Sequence, residues 1–110
     1  DLFFDEQFGF IGLSGASQTH SSIYVTKDGG KTLKEIELPM DTVTEYPPHM
    51  QEYGFTLDDY QYLEMPQQDG ENYTIHVMTQ SGETEGLVFT SEDQGENWSF
   101  TGVFDENDLS

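Results

Sequence analysis

Carboxylates dominate the groups in this chain that could do chemistry: 22 Asp and Glu stand against three basic residues, three His and no Cys. Two carboxylates at a suitable separation suffice to hydrolyse a glycoside, and with so many acids the sequence neither singles out such a pair nor excludes one. Thiolate chemistry and disulfides are ruled out. The basic residues are Lys27, Lys31 and Lys34, so no arginine offers the rigid fork that clamps a substrate carboxylate or phosphate. His20, His49 and His76 lie far apart, without the short His–His spacings of zinc sites. Asp58-Asp59 and Asp105-Glu106-Asn107-Asp108 are rich in oxygen but lack the spacing of a calcium loop. Asp28-Gly29-Gly30-Lys31-Thr32 is superficially like the end of a phosphate-binding loop, without its first glycine or a following helix. The expectation is no catalytic residue, no metal and no cofactor.

The patterned residues lie in two octets, Thr26-Lys27-Asp28-Gly29-Gly30-Lys31-Thr32-Leu33 and Ser91-Glu92-Asp93-Gln94-Gly95-Glu96-Asn97-Trp98. Both read hydroxyl, any, Asp, any, Gly, any, Thr or Asn, large apolar. Each lies between β-rich runs, Ile23-Tyr24-Val25 before the first and Leu87-Val88-Phe89-Thr90 before the second. Asp, Gly and Asn are turn residues, and an Asp here can accept main-chain N–H groups that a hairpin ladder leaves free. Gly30 and Gly95 can supply a positive φ. Trp98 can cover its loop with an indole, whereas Leu33 buries less and has no N–H, so the first octet is expected to be looser. Thr26, Asp28, Gly30, Thr32 and Leu33, with Ser91, Asp93, Gly95, Asn97 and Trp98, are therefore read as structural residues of two hairpin turns.

The octets resemble the Asp-box, or BNR repeat, of sialidases and many other β-propeller proteins. The wider layout, Gly9-Phe10-Ile11, then Tyr24-Val25-Thr26 with its octet, then Leu38-Pro39, resembles BNR-type repeat proteins of bacterial surfaces. The likeness covers residues 1–39 and roughly 72–104. It implies propeller-type blades with the motif on the outer rim, away from any catalytic pocket. A sialidase site, as the family implies, needs an arginine cluster that this chain lacks. Microbial ribonucleases also carry an Asp-box, but a phosphate site without arginine on so acidic a body is not expected.

The remaining signals organise the chain around these turns. Short alternating runs, bounded by Gly, Pro and acidic turns, predict an all-β fold: two four-stranded antiparallel meanders resembling two propeller blades, with a small β-sandwich or open barrel as the alternative. The first meander is placed at 1–39 and the second at 60–104, with a linker over 40–59 and an acidic tail over 105–110. Ser14–His20 is read as a polar loop, Leu33–Leu38 as the fourth strand, Gln61–Met65 as the fifth and 66–72 as a turn. The Tyr-x-Tyr alternation at Tyr60 and Tyr62 favours strand over helix. Asp28 and Asp93 lie 65 positions apart, a plausible period for a blade carrying an insertion. Two blades cannot close a propeller, so self-association, or membership of a larger protein, is expected.

A formal net charge of −19 repels polyanions, which argues against nucleic acid and anionic membrane surfaces as partners. No apolar run is long enough to span a bilayer, so no direct membrane insertion is expected. The chain opens on Asp1-Leu2-Phe3-Phe4, and a signal or anchor is expected to lie outside it. Together with the resemblance, these features suggest a bacterial extracellular or cell-surface location. The middle of the chain carries Tyr46, Tyr53, Phe55, Tyr60 and Tyr62, whose rings make a candidate binding surface for a protein or glycan. The leading expectation is a non-catalytic binding or scaffold module. The alternative is part of a glycan-processing, sialidase-like enzyme whose catalytic residues lie elsewhere.

Overall fold

A computed structural model describes residues 1–13, 19–80 and 84–106. The fold is all-β and consists of two antiparallel sheets that do not close into a barrel. The first sheet holds β1 (Leu2–Phe3), β2 (Gly9–Leu13), β4 (Ser22–Thr26) and β5 (Lys34–Glu35), in that order. The second runs β10 (Ser99–Asp105), β9 (Glu85–Ser91), β8 (Asn72–Met78), β6 (Tyr62–Glu64), β3 (Thr19–His20), with β7 (Gln67–Asp69) also on β8. β6 and β7 occupy successive stretches of the same β8 edge: Tyr62 opposes Met78 and Leu63 opposes Val77, while Gln67–Asp69 oppose Thr74–Asn72. Met65-Pro66 separates them, because proline cannot donate to the ladder.

Each sheet ends in a hairpin closed by an octet, but the second sheet has six strands where a four-stranded meander was expected. One joins β4 to β5 and the other β9 to β10. Alternation explains the inner faces. Tyr73, Ile75 and Val77 of β8 are buried, as are Leu87, Phe89 and Ser91 of β9, and the register places Ile75 opposite Phe89 and Val77 opposite Leu87. From the first sheet, Phe10, Ile23 and Val25 join the same core. Tyr73 receives Phe4, Phe8 and Phe10 at ring-centroid distances of 5.1, 5.5 and 5.7 Å. Edge-on aromatic packing of this kind, in a chain with no disulfide, supplies area and orientation together.

Several elements differ from the sequence expectation. The end of the expected polar loop, Thr19–His20, is a strand that pairs with β6, so the chain steps from the second sheet into the first within Ser21-Ser22. Residues 14–18 lie outside the described residues. The fourth strand is only Lys34–Glu35, although Ile36 N–H still donates to Ile23 O at 2.9 Å. The expected turn over 66–72 contains β7, and the turn itself is narrowed to Gly70-Glu71, with Gly70 at φ +64°. Asp105 belongs to β10 rather than to a tail, and 107–110 lie outside the described residues. The stretch 40–59 holds two 3-10 turns, Met40–Thr42 and Leu57–Asp59, and buries Val43 and Pro47. It lies against the body of the protein rather than spanning between bodies as a linker.

Candidate functional site

The octets have matching hydrogen-bond patterns. In the first, the Thr26 hydroxyl donates to Asp28 Oδ1 at 2.8 Å and accepts Gly30 N–H at 2.9 Å. Asp28 then accepts Thr32 N–H on Oδ1 at 2.9 Å and the Thr32 hydroxyl on Oδ2 at 2.6 Å. In the second, Ser91 donates to Asp93 Oδ1 at 2.8 Å and accepts Gly95 N–H at 2.8 Å. Asp93 accepts Asn97 N–H at 2.9 Å and the Asn97 amide at 2.8 Å. Both aspartates are held at a pKa of about 2: Thr32's hydroxyl and N–H are the main cause at Asp28, and Asn97's N–H and amide at Asp93. A carboxylate so stabilised in its ionised form makes a poor proton donor or acceptor near neutral pH. The shared hydroxyl, Asp and Thr or Asn groups of the octets are therefore bonded within their own loops.

The octets differ at the last position. Trp98 is buried and donates Nε1–H to Gly95 O at 3.0 Å, closing its loop. Leu33 is 46% exposed and covers nothing comparable. The first loop is held from another side, where Gly29 N–H donates to Gln7 O at 2.9 Å. Between the loops stands Glu96, which accepts Lys27 on Oε1 at 2.9 Å and Lys34 on Oε2 at 3.0 Å. Lys27 of the first octet and Lys34, the first residue of β5, thus tie the first hairpin to the second octet. A groove of about 450 Å³ runs beside this junction, lined by Lys34, Glu35, Leu38, Pro39, Glu96 and Trp98 among others.

The aromatic middle is only partly a surface. Tyr46 and Tyr53 are about half exposed, Phe55 and Tyr62 are half-buried, and Tyr60 is buried. Tyr53 stacks on His49 with centroids 5.7 Å apart, Phe55 meets Tyr53 at 6.2 Å, and Tyr60 meets Phe55 at 6.5 Å. The row runs from solvent into the core. Burial, then the charges of Glu85 and Asp59, push the Tyr60 hydroxyl up to about 12. Phe55 and Tyr62 also line a shallow pocket of about 280 Å³ with Asp58, Asp59, Gln61 and Gln80.

At the Tyr53 end of this row, His49 belongs to a group of side chains that the sequence did not bring together. Glu85, at the start of β9, is 5% exposed. Its Oε1 lies 2.7 Å from His49 Nδ1, and its Oε2 accepts the His49 main-chain N–H at 3.0 Å. Asp105, at the end of β10, completes a set whose ligand-type atoms all lie within 4.8 Å of one another. The hydrogen bond to Glu85, with the charges of Glu85, Glu52 and Asp105, raises the His49 pKa against the opposing effect of desolvation. The other histidines stand elsewhere: His76 stacks on Phe104 at 4.2 Å and approaches Glu64 at 3.3 Å, and His20 packs against Gly12. No linear spacing could have revealed the His49 group: Glu85 and Asp105 lie 36 and 56 residues after His49, the β9–β10 pairing sets these two opposite each other, and the segment carrying His49 folds onto Glu85.

Comparison of the chain with protein-family models, with curated proteins and with solved structures finds no match in any of the three.

Proposed function

We propose that this chain is a non-catalytic binding or scaffold module from an Asp-box repeat protein of a bacterial surface or secretion. The observation that carries the reading is the inward hydrogen bonding of both octets. Their Asp, Thr, Ser and Asn side chains serve the hairpins, and the carboxylates are fixed in the ionised state. The absence of arginine from the sequence supports it further, since an anionic sugar would meet no fixed clamp on a body of charge −19. The exposed rings of Tyr46 and Tyr53 are the contact residues of the module, and its partner is a protein or a glycan that avoids net negative charge. No helix among the described residues is long and apolar enough to cross a membrane.

The test combines two measurements. Affinity electrophoresis through gels containing neutral polysaccharides, with chemical cross-linking to basic surface proteins in parallel, should detect a partner whose binding is lost in Tyr46→Ser/Tyr53→Ser. Fluorogenic glycosides, sialosides included, should not be turned over. Turnover by the purified chain, or partner binding untouched by the double substitution, would overturn the reading.

A further inference from the structure

We propose that His49, Glu85 and Asp105 bind a divalent transition-metal ion of the Zn2+ type. The three residues come from separate parts of the fold: the turn after Pro47-Pro48, the first residue of β9 and the last of β10. Two of the three already stand near the spacing of neighbouring ligands, with the third close by. His49 Nδ1 and Glu85 Oε1 are 2.7 Å apart, and two neighbouring ligands, each about 2.0–2.1 Å from zinc, stand roughly 3 Å from one another. An ion can therefore take the place of the proton between them, which leaves to solvent, as the pair opens slightly and turns its lone pairs toward the ion. Asp105 lies within 4.8 Å of both and closes the third position by a side-chain adjustment.

The surroundings favour an ion in three further ways. Glu85 Oε2 is anchored by the His49 N–H, so the imidazole and the carboxylate are oriented toward each other before any ion arrives. Glu85 is almost wholly buried in a strongly acidic protein, where a carboxylate gains most from a compensating cation. His49 is partly open to solvent, which gives the ion an entry path and leaves room for water as a fourth ligand. One imidazole nitrogen with two carboxylates suits zinc or manganese better than magnesium or calcium, which prefer shells of oxygen alone. A bound ion would staple the segment carrying His49 and its stacked partner Tyr53 to the ends of β9 and β10. The site does not depend on the proposed binding role, and its test does not use a partner.

Isothermal titration of the full chain with ZnCl2, and separately with MgCl2, tests the site. The expected result is one zinc ion per chain, bound at least about tenfold more tightly than magnesium. His49→Gln and Asp105→Asn should each weaken zinc binding at least about tenfold, while His76→Gln, which alters the other imidazole–carboxylate pair, should leave it unchanged. Circular dichroism melts establish that each variant folds. Should His49→Gln prevent folding, NMR of the parent chain with CoCl2 decides: the His49 ring protons must shift before those of His20 and His76. No zinc binding, zinc binding that survives both ligand substitutions, or His49 resonances unmoved by cobalt would overturn the proposal.

Discussion

Gly95 lies against the ring of Phe10, so closely that a Cβ there would stand 2.8 Å from Cε1 and 3.3 Å from Cγ2 of Val25. Gly95 belongs to the turn between β9 and β10, whereas Phe10 and Val25 belong to β2 and β4. The contact is therefore a seam between the two meanders, and the second octet fits it because one residue has no side chain. Gly30 holds the same place in the first octet and nearly the same conformation, φ +94° against +88°, yet nothing would meet its Cβ within 4 Å. One local conformation is thus used twice, but only one copy is built into an interface.

The glycine pair separates the two causes. Gly95→Ala should lower stability by about 2–4 kcal/mol, backbone strain and overpacking acting together. Gly30→Ala carries the strain alone and should cost about 1 kcal/mol. Urea unfolding of both variants measures the difference, and equal losses would mean that the seam at Phe10 yields freely.

The same asymmetry reaches the last position of each octet. Trp98→Ala removes a buried indole in edge contact with Phe10 at 6.4 Å and should cost about 3–5 kcal/mol. Leu33→Ala changes a residue that is 46% exposed and should stay within about 0.5 kcal/mol. Trp98→Phe keeps much of the bulk but leaves Gly95 O without its indole donor, and should fall between them. Thermal melts of the three variants check the order, and a Leu33→Ala loss matching that of Trp98→Ala would be incompatible with it.

The hairpins were legible in the sequence because their causes are local. A hydroxyl, an aspartate and a glycine at fixed offsets can satisfy one another within eight residues, whatever the rest of the chain does. The all-β class was legible for a similar reason, since the alternation of Tyr73, Ile75 and Val77 needs only one buried face. What the sequence hid depends on distant chain. Thr19–His20 forms a strand only because the edge of β6 is there to receive it. Tyr60 looks like its neighbours in composition, but one step inward along the row from Phe55 places it in the core. His49 and Glu85 meet because the segment after Pro47-Pro48 folds back over the start of β9, a fact of tertiary packing with no periodic signal.

Glu96 should act as a modest electrostatic tie between the octets. Its carboxylate is held below its usual pKa by hydrogen bonds from Lys27 and Lys34. All three side chains are at least one-third exposed, so each pair should contribute only about 0.2–1 kcal/mol, and less at high salt. Glu96→Gln should therefore destabilise slightly in dilute buffer and almost not at all in molar NaCl. A double-mutant cycle with Lys34→Met isolates one pair, and a coupling energy that does not respond to salt would mean that Glu96 acts through packing.

Acid should unfold this protein partly through its two octet aspartates. Asp28 and Asp93 titrate near 2 in the folded chain, against a reference value of 3.8. At pH values between these limits the unfolded chain binds protons that the folded chain does not, so stability must fall as the pH falls. Their contribution is complete above about pH 5, declines from there and is gone a little below pH 2, where both states are protonated. Replacing both by Asn removes this titration and leaves each loop with one acceptor where it had two charged oxygens. Asp28→Asn/Asp93→Asn should therefore be less stable than the parent at pH 7, and its melting temperature should decline less steeply from pH 5 to pH 2. The other carboxylates titrate in both proteins, so the difference between the two slopes belongs to this pair. Identical slopes would show that the charge on these aspartates does not contribute to holding the hairpins closed.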